Sequence, residues 1–318
     1  MVRSRNTILV NKEENIRLDK FLKRVLSSFS RNKIEEYIKK GLILVNNKEV
    51  KPSYLLKIND IISYPVEFPR EINDLIPLNL NPEPLVLYED DNIIVINKPP
   101  HILVHPTKNS ILTPSIASWL IHRYPEVKNV GDDSLRPGIV HRLDKDTSGV
   151  LILTKNQKTF ENFKNLFAQR KIEKVYLVLV KGQLKQKEGI ISYNIGEAKD
   201  YPKRKIILSS QKNTAGKEAL TVFRVLNTFN NYTLLEVMPK TGRTHQIRVH
   251  LASIGFPVLG DRLYGKITNQ EKELIPRQMI HAFKISFPYD NNQILSFEAP
   301  LPNDFQNILN QLTKEGTL

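Results

Sequence analysis

The chain has 318 residues, 40% apolar and 25% charged, the balance of a soluble globular protein with room for one large domain and a small one. It contains no cysteine, which excludes disulfides, thiolate chemistry and Cys-based zinc sites. The net charge is +14, and residues 1–65 hold fourteen Lys and Arg against seven Asp and Glu, so a polyanion is the natural partner. No apolar run approaches the ~18 residues of a membrane span. The opening Met1-Val2-Arg3-Ser4-Arg5-Asn6 lacks the apolar core of a secretory signal, so a cytoplasmic protein is expected.

Residues 17–28 read as a helix, because Leu18, Phe21, Leu22, Val25 and Leu26 share one face. Ser30 is placed to cap a second helix through about Lys40, with Gly41 as its stop. Leu42 to Val45 then reads as a strand, Asn46-Asn47 as a tight turn and Lys48 to Lys51 as the return, with a further strand around Ile58–Tyr64. Arg17, Lys20, Arg31, Lys33, Lys39, Lys40 and Lys48 surround this compact module and are its candidate contacts to a polyanion. Prolines 65, 69, 77, 82 and 84 mark a stiff linker over about 66–84.

From Leu85 the pattern changes. Val86–Glu89 and Ile93–Ile96 predict a hairpin ending in Asn97-Lys98-Pro99-Pro100. A helix is expected over 114–123, with Trp119 and Leu120 on its buried side, and another over 159–169, where Phe160, Phe163, Leu166 and Phe167 share a face. Between them lies His141-Arg142-Leu143-Asp144-Lys145-Asp146-Thr147-Ser148-Gly149, a charged turn that feeds a strand at 150–154. Such a turn is either a solvated loop whose Asp residues bond the local backbone or a catalytic loop carried on a rigid strand. The residues alone leave both open.

Lys174–Val180 is a strand apolar on both faces, hence central in a sheet, and the Tyr176 phenol within it must find a partner or open into a cleft. The basic stretch 199–217 reads as a hairpin or exposed insertion, either touching phosphates or simply solvated. Strands at 219–226 and 232–238 precede Thr241-Gly242-Arg243-Thr244-His245-Gln246-Ile247-Arg248-Val249-His250, where Thr244 is placed to cap a helix that stops at Gly255. His141, His245 and His250 lack evident carboxylate partners and read as structural or RNA-contacting. A turn at Gly260–Gly265 and a short amphipathic helix over 303–313 complete the chain.

The His141–Gly149 stretch resembles the signature of the RNA pseudouridine synthases of the ribosomal large-subunit type. Asn97–Pro100 with His105-Pro106, the Tyr176 strand, Gly242–His250, Gly260–Gly265 and Phe297–Pro302 match the family in order, so the resemblance spans almost all of 85–302. One departure is His101, where the family's first block commonly has glycine; if that position needs positive φ, histidine is a tolerable but poorer occupant. The basic module at about 15–65 is similar to the RNA-binding domain named after small-subunit ribosomal protein S-four, through Arg17–Leu22, Ser30-Arg31, and Gly41–Val45 with Asn47 and Val50.

The resemblance implies an α+β catalytic domain over 85–318, whose mixed, largely antiparallel sheet carries a cleft, preceded by the small basic α/β module at 1–65. It implies isomerisation of uridine to pseudouridine in RNA, which needs no cofactor and no metal. It makes Asp144 rather than Asp146 the catalytic carboxylate, Arg248 the arginine that pairs with it, and Tyr176 the ring against the flipped uracil. Arg142 is then expected to fill the gap left by the base or grip its phosphate. Whether the aspartate attacks the sugar or the ring stays open. Large-subunit ribosomal RNA is the expected partner, transfer RNA the alternative, and the enzyme is expected to act as a monomer. The competing readings are a non-catalytic ribosomal RNA-binding protein on the same scaffold and, less in keeping with the basic surface, a glycoside hydrolase using Asp144 with Asp146.

Overall fold

The computed structural model describes residues 5–11, 15–27, 29–66, 80–106, 113–198, 203–207, 216–290 and 293–315. Its first part contains strand β1 (Arg5–Leu9), helices α1 (Leu18–Val25) and α2 (Arg31–Lys39), and strands β2 (Leu44–Val45) and β3 (Ile61–Pro65). The Ser30 hydroxyl accepts the Lys33 amide at 3.2 Å, and Gly41 leaves α2 at φ +67°, as the capping residues predicted. Helix α1 is shorter than its apolar stripe, because Leu26 already departs from helical dihedrals at φ −98°, ψ 59°.

The predicted return strand at Lys48–Lys51 does not form. Asn46 and Asn47 make the tight turn at φ 51° and 60°, Lys48 closes one bridge to Val45, and the lasting partner of β2 is β3. The three strands lie in the order β1-β3-β2. β1 was not expected, because an edge strand exposed at Arg5, Asn6, Thr7 and Leu9 shows no alternation of apolar and polar residues. Leu18, Leu22, Ile34, Ile38, Ile43 and Ile62 form a shared core beneath this sheet.

The predicted linker falls mostly on residues outside those described. Its far end is not free, since Leu80 is 7% exposed and packs in the core of the large sheet.

That sheet comprises β4 (Leu85–Glu89), β5 (Ile93–Lys98), β6 (Ser148–Thr154), β7 (Glu173–Lys181), β8 (Glu188–Ile191), β11 (Thr221–Thr228), β12 (Tyr232–Pro239), β13 (Ile280–Pro288) and β14 (Ile294–Glu298). Its order is β4-β5-β6-β13-β7-β12-β11-β8. Strand β13 pairs with β7 along one edge; on the other it runs parallel to β6 through His281 and Ala282, then pairs with β14 from Lys284 onward. Every other pairing in the sheet is antiparallel, as expected for the mixed class. The basic stretch folds in part: β9 (Asn194–Glu197) pairs with β10 (Arg204–Ile207), while residues 199–202 and 208–215 lie outside those described.

Helix α3 (Ile116–Arg123) opens with a Ser115–Ser118 capping box, and α4 (Gln157–Ala168) is capped by Asn156. Alternation along the strands sorts their side chains to these helices: Ile94, Ile96, Leu151 and Leu153 pack on the α3 side, and Ile93, Val95, Val150 and Ile152 on the α4 side. The other half of the sheet repeats this arrangement. Val178 and Val180 face α5 (Gln246–Ser253), and Leu179 faces α7 (Asn303–Glu315); α6 (Asn269–Leu274) lies between them in sequence. Tyr176 packs against the core of both halves and so stands at their seam.

Gly149, Ala282 and Tyr176 lie side by side across β6, β13 and β7. Gly149 sits at φ +117°, and a Cβ there would fall 2.2 Å from the Ala282 carbonyl oxygen. The close approach of β6 to β13 therefore needs glycine twice over, for the dihedral and for the space. Gly149→Ala is expected to lose roughly 3 kcal/mol or more of stability, read as a lower urea midpoint at unchanged m.

Candidate active site

Asp144 lies in the turn that enters β6, closed by the Thr147 amide donating to the Asp144 carbonyl at 3.0 Å. Two buried cations hold this turn from behind through its backbone. The Lys98 ammonium donates to the carbonyls of Pro99, Ile102 and Lys145 at 2.8, 3.0 and 3.0 Å. Arg277 donates to the Asp146 carbonyl at 2.9 Å and to the Asp304 carboxylate on α7 at 2.6 and 3.0 Å. Burial, with the Arg277 charge added, lowers the Lys98 pKa to about 7. Three acceptors nonetheless match the three N–H groups that only the charged amine has.

The Asp144 carboxylate accepts from Arg248 Nη1 at 3.1 Å. Arg248 is presented by the first turn of α5, and its remaining donors, Nε and Nη2, go to Asp261 at 2.7 and 2.9 Å. Asp261 is fully buried and also accepts the amides of Leu263 and Tyr264, so the Gly260–Gly265 turn is folded around its carboxylate. Burial alone would lower the Arg248 pKa; Asp261, and then Asp144, more than reverse this, so the guanidinium stays charged. The Tyr264 ring covers its face, 5.2 Å away. Asp261 was missed in the sequence because the Gly260–Gly265 motif reads only as a turn. A carboxylate flanked by Gly260 and Arg262 was the available signal.

Helix α5 does not begin as predicted. Its cap is His245, at φ 57°, and not Thr244. The helix entrance is instead held by Gln246, whose side chain accepts from Thr241 Oγ1 and the Arg243 amide and donates to Leu220 and Thr221. His245 Nε2 comes within 3.8 Å of Asp144, a carboxylate neighbour that sequence inspection did not find. Its Nδ1 lies 2.9 Å from the Tyr264 hydroxyl, which accepts the Arg204 amide; the phenol hydrogen thus points to Nδ1, leaving the N–H of a neutral ring on the Asp144 side. Burial lowers the His245 pKa despite Asp144. The other two histidines are structural. His141 accepts the Ile152 amide, and burial takes it down to about 3, while His250 bonds Thr221 Oγ1 and the Tyr193 carbonyl.

Asp144, Arg248 and Tyr176 thus meet in one cleft of about 520 Å³, which Arg142, Arg170, Lys174, Lys240 and Arg243 also line. Asp144 is the sole carboxylate among the described lining residues. The Tyr176 phenol opens into this cleft, and burial followed by the nearby Asp144 charge raises its pKa, so it stays protonated. Asp146 is turned away, with its carboxylate on His101 Nδ1 at 3.0 Å. His101 holds φ 66°, so this position does take the left-handed region, and here a histidine occupies it. Arg142 is exposed at the rim shared by this cleft and a smaller one behind Asp144.

The candidate contacts of the first module divide. Lys20, Lys39 and Lys48 are exposed. Arg17 and Arg31 both bond the fully buried Asp19, pinning α1 to α2 while 40% and 42% of their side chains stay accessible. Lys40 pairs with Glu36. Lys33 is a correction: it is 6% exposed, bonds Glu36 and lies over the Tyr37 ring, so it serves the core rather than a polyanion.

The model of the RNA pseudouridylate synthase family matches residues 92–253, and that of the S4 domain residues 16–62. An uncharacterized RNA pseudouridine synthase of Aquifex aeolicus is 39% identical over 95% of this chain and 96% of its own length. Ribosomal large subunit pseudouridine synthase D of Borreliella burgdorferi is 35% identical over 100% of this chain and 96% of its own. The structure of human RNA pseudouridylate synthase domain containing 1 superposes with a TM-score of 0.57 at 26% identity, covering 74% of this chain and 87% of that one. With a family model matching half of its length and relatives 35–39% identical along nearly all of it, the chain belongs to the RNA pseudouridylate synthase family.

Proposed function

We propose that this enzyme isomerises uridine to pseudouridine in large-subunit ribosomal RNA, acting as a monomer in the cytoplasm. The observation that carries the reading is the single carboxylate of a basic cleft, Asp144, held against the buried Arg248 beside the Tyr176 ring. The named activity of the Borreliella burgdorferi relative supports the ribosomal substrate.

In the reaction, the bond between ribose carbon 1′ and ring nitrogen 1 breaks, the uracil turns, and a bond forms between carbon 1′ and ring carbon 5; carbon 5 gives up its hydrogen as a proton and nitrogen 1 takes one up, so the product is an isomer of the substrate. The nucleotide first leaves its stack at a cost of a few kcal/mol. Asp144 is the catalytic carboxylate and meets the sugar–base junction as an anion. Arg248 sets a fixed positive charge against it at 3.1 Å. Asp261 fixes the guanidinium so that its fork cannot turn away. Tyr176 lies against the flipped ring as a neutral phenol. Arg142, at the rim, takes the space left in the RNA or its phosphate.

Residues 1–65 are the RNA-docking unit, 66–84 the connection and 85–318 the catalytic unit. Lys20, Lys39 and Lys48, with the accessible parts of Arg17, Arg31 and Lys40, supply the phosphate contacts of the first unit.

Tritium release from unmodified large-subunit ribosomal transcript labelled at uracil carbon 5 tests the reaction. Wild type is expected to release it and Asp144→Asn to release none; release by the variant would remove Asp144 from the chemistry. Arg248→Lys keeps charge but loses the fork, and its single-turnover rate is expected to fall ~10²-fold or more at near-normal RNA affinity. Deleting residues 1–65 is expected to weaken RNA binding and flatten its salt dependence while the remaining chain unfolds cooperatively on heating. An unchanged slope of log K against log salt would refute the docking role.

A further inference from the structure

Lys174 is a charged group of the cleft that the chemistry above does not use. It lies on the same face of β7 as Tyr176, two residues earlier, so the two side chains start roughly 7 Å apart along one wall. It is half-buried, and its ammonium has no hydrogen bond or ion pair among the described residues. Three cations of the cleft are engaged, Arg248 by Asp261 and Asp144, Arg170 by the Glu218 carboxylate, and Arg243 by the Glu218 carbonyl, whereas Arg142 and Lys240 are exposed to solvent and so, unlike Lys174, are not desolvated. The Lys174 Nζ is only 4.0 Å from where a side chain on Gly242 would begin, and that residue has none, which leaves the ammonium open to the cleft. Desolvation without a compensating carboxylate brings its pKa down to about 8.

A desolvated ammonium with no counter-charge in the protein costs stability in the empty enzyme, and a neutral uracil carbonyl would leave that cost largely in place. The anion that an RNA strand brings is the phosphodiester. We propose that Lys174 is a substrate-binding residue that grips a phosphate of the nucleotide whose base lies against Tyr176. The spacing of the two residues along the strand is comparable with the step from a base to its own phosphate. The grip rests on reading the cleft as the RNA site, and it makes Lys174 part of the selection for a flipped nucleotide, since a free uracil or nucleoside offers nothing to it.

The test compares wild type, Lys174→Gln and Lys174→Arg on unmodified large-subunit ribosomal transcript, by RNA binding over a range of salt and by single-turnover tritium release. Lys174→Gln is expected to raise the half-saturating enzyme concentration about tenfold at physiological salt. It should also reduce the slope of log K against log salt by about 0.7–0.9, the loss of one phosphate contact. The saturating rate should stay within about threefold of wild type, and Lys174→Arg should restore the slope. An unchanged slope and half-saturation in Lys174→Gln, with the same thermal midpoint as wild type, would overturn the proposal. So would a lost saturating rate at unchanged affinity, which would move Lys174 to the chemical step. The slope is read from binding alone. A wild type that turned over no uridine in this RNA would therefore count against the ribosomal substrate, while the slope difference would still decide the lysine.

Discussion

The site depends on one guanidinium shared between two carboxylates. Arg248 gives two donors to the fully buried Asp261 and one to Asp144. Asp261 is the costly partner, because a charge without solvent must be matched in place, and here it is matched by the fork and by two backbone amides. Once that pair is formed, the arginine has a fixed direction, and its third nitrogen, Nη1, is the one that the partly accessible Asp144 meets. The inner carboxylate sets the geometry and the outer one is left for chemistry.

The same division appears on the other side of the catalytic turn. Lys98 and Arg277 hold the carbonyls of Lys145 and Asp146, the residues immediately after Asp144. Charged donors on neutral carbonyls fix the backbone without pairing with the Asp144 carboxylate. Arg277 in turn rests on Asp304 of the last helix, so the end of the chain supports a turn more than 150 positions earlier. The carboxylate therefore sits on a frame built from β5, β13 and α7, and its mobility is limited by all of them.

Charge is sorted in the same way across the molecule. Cations that bear on acidic partners, such as Arg17 and Arg31 on Asp19, hold the framework together. Other cations, such as Lys20, Lys39 and Lys48 on the first module and Arg142 and Lys240 at the cleft, are exposed to solvent. Counting Lys and Arg does not separate these groups. Lys33 and Lys39 are six residues apart in one helix, yet one is buried in the core and the other is exposed.

Much was legible from the residues themselves. Ser30, Gly41 and Gly255 mark helix ends because caps and positive φ are local requirements, and the double-sided apolar run around Tyr176 marks a central strand because strands flank both its edges and helices cover both its faces. The family signature likewise named Asp144, Tyr176 and Arg248, which the fold brings into one cleft. What the sequence left unread was set by distant contacts. β1 has no apolar pattern and exists by pairing with β3. His245 takes the cap position from Thr244 because Gln246 ties the helix entrance to Leu220 and Thr221. Asp261 becomes a support only when α5 arrives beside it, and Lys174 becomes an unmatched charge only once β7 lies in the wall of the cleft. Local residue chemistry thus determined most of the elements, and the family resemblance pointed to the candidate reacting groups. The tertiary structure alone decided which charges meet, because β13, late in the chain, is inserted between β6 and β7 and brings the catalytic turn to the tyrosine strand.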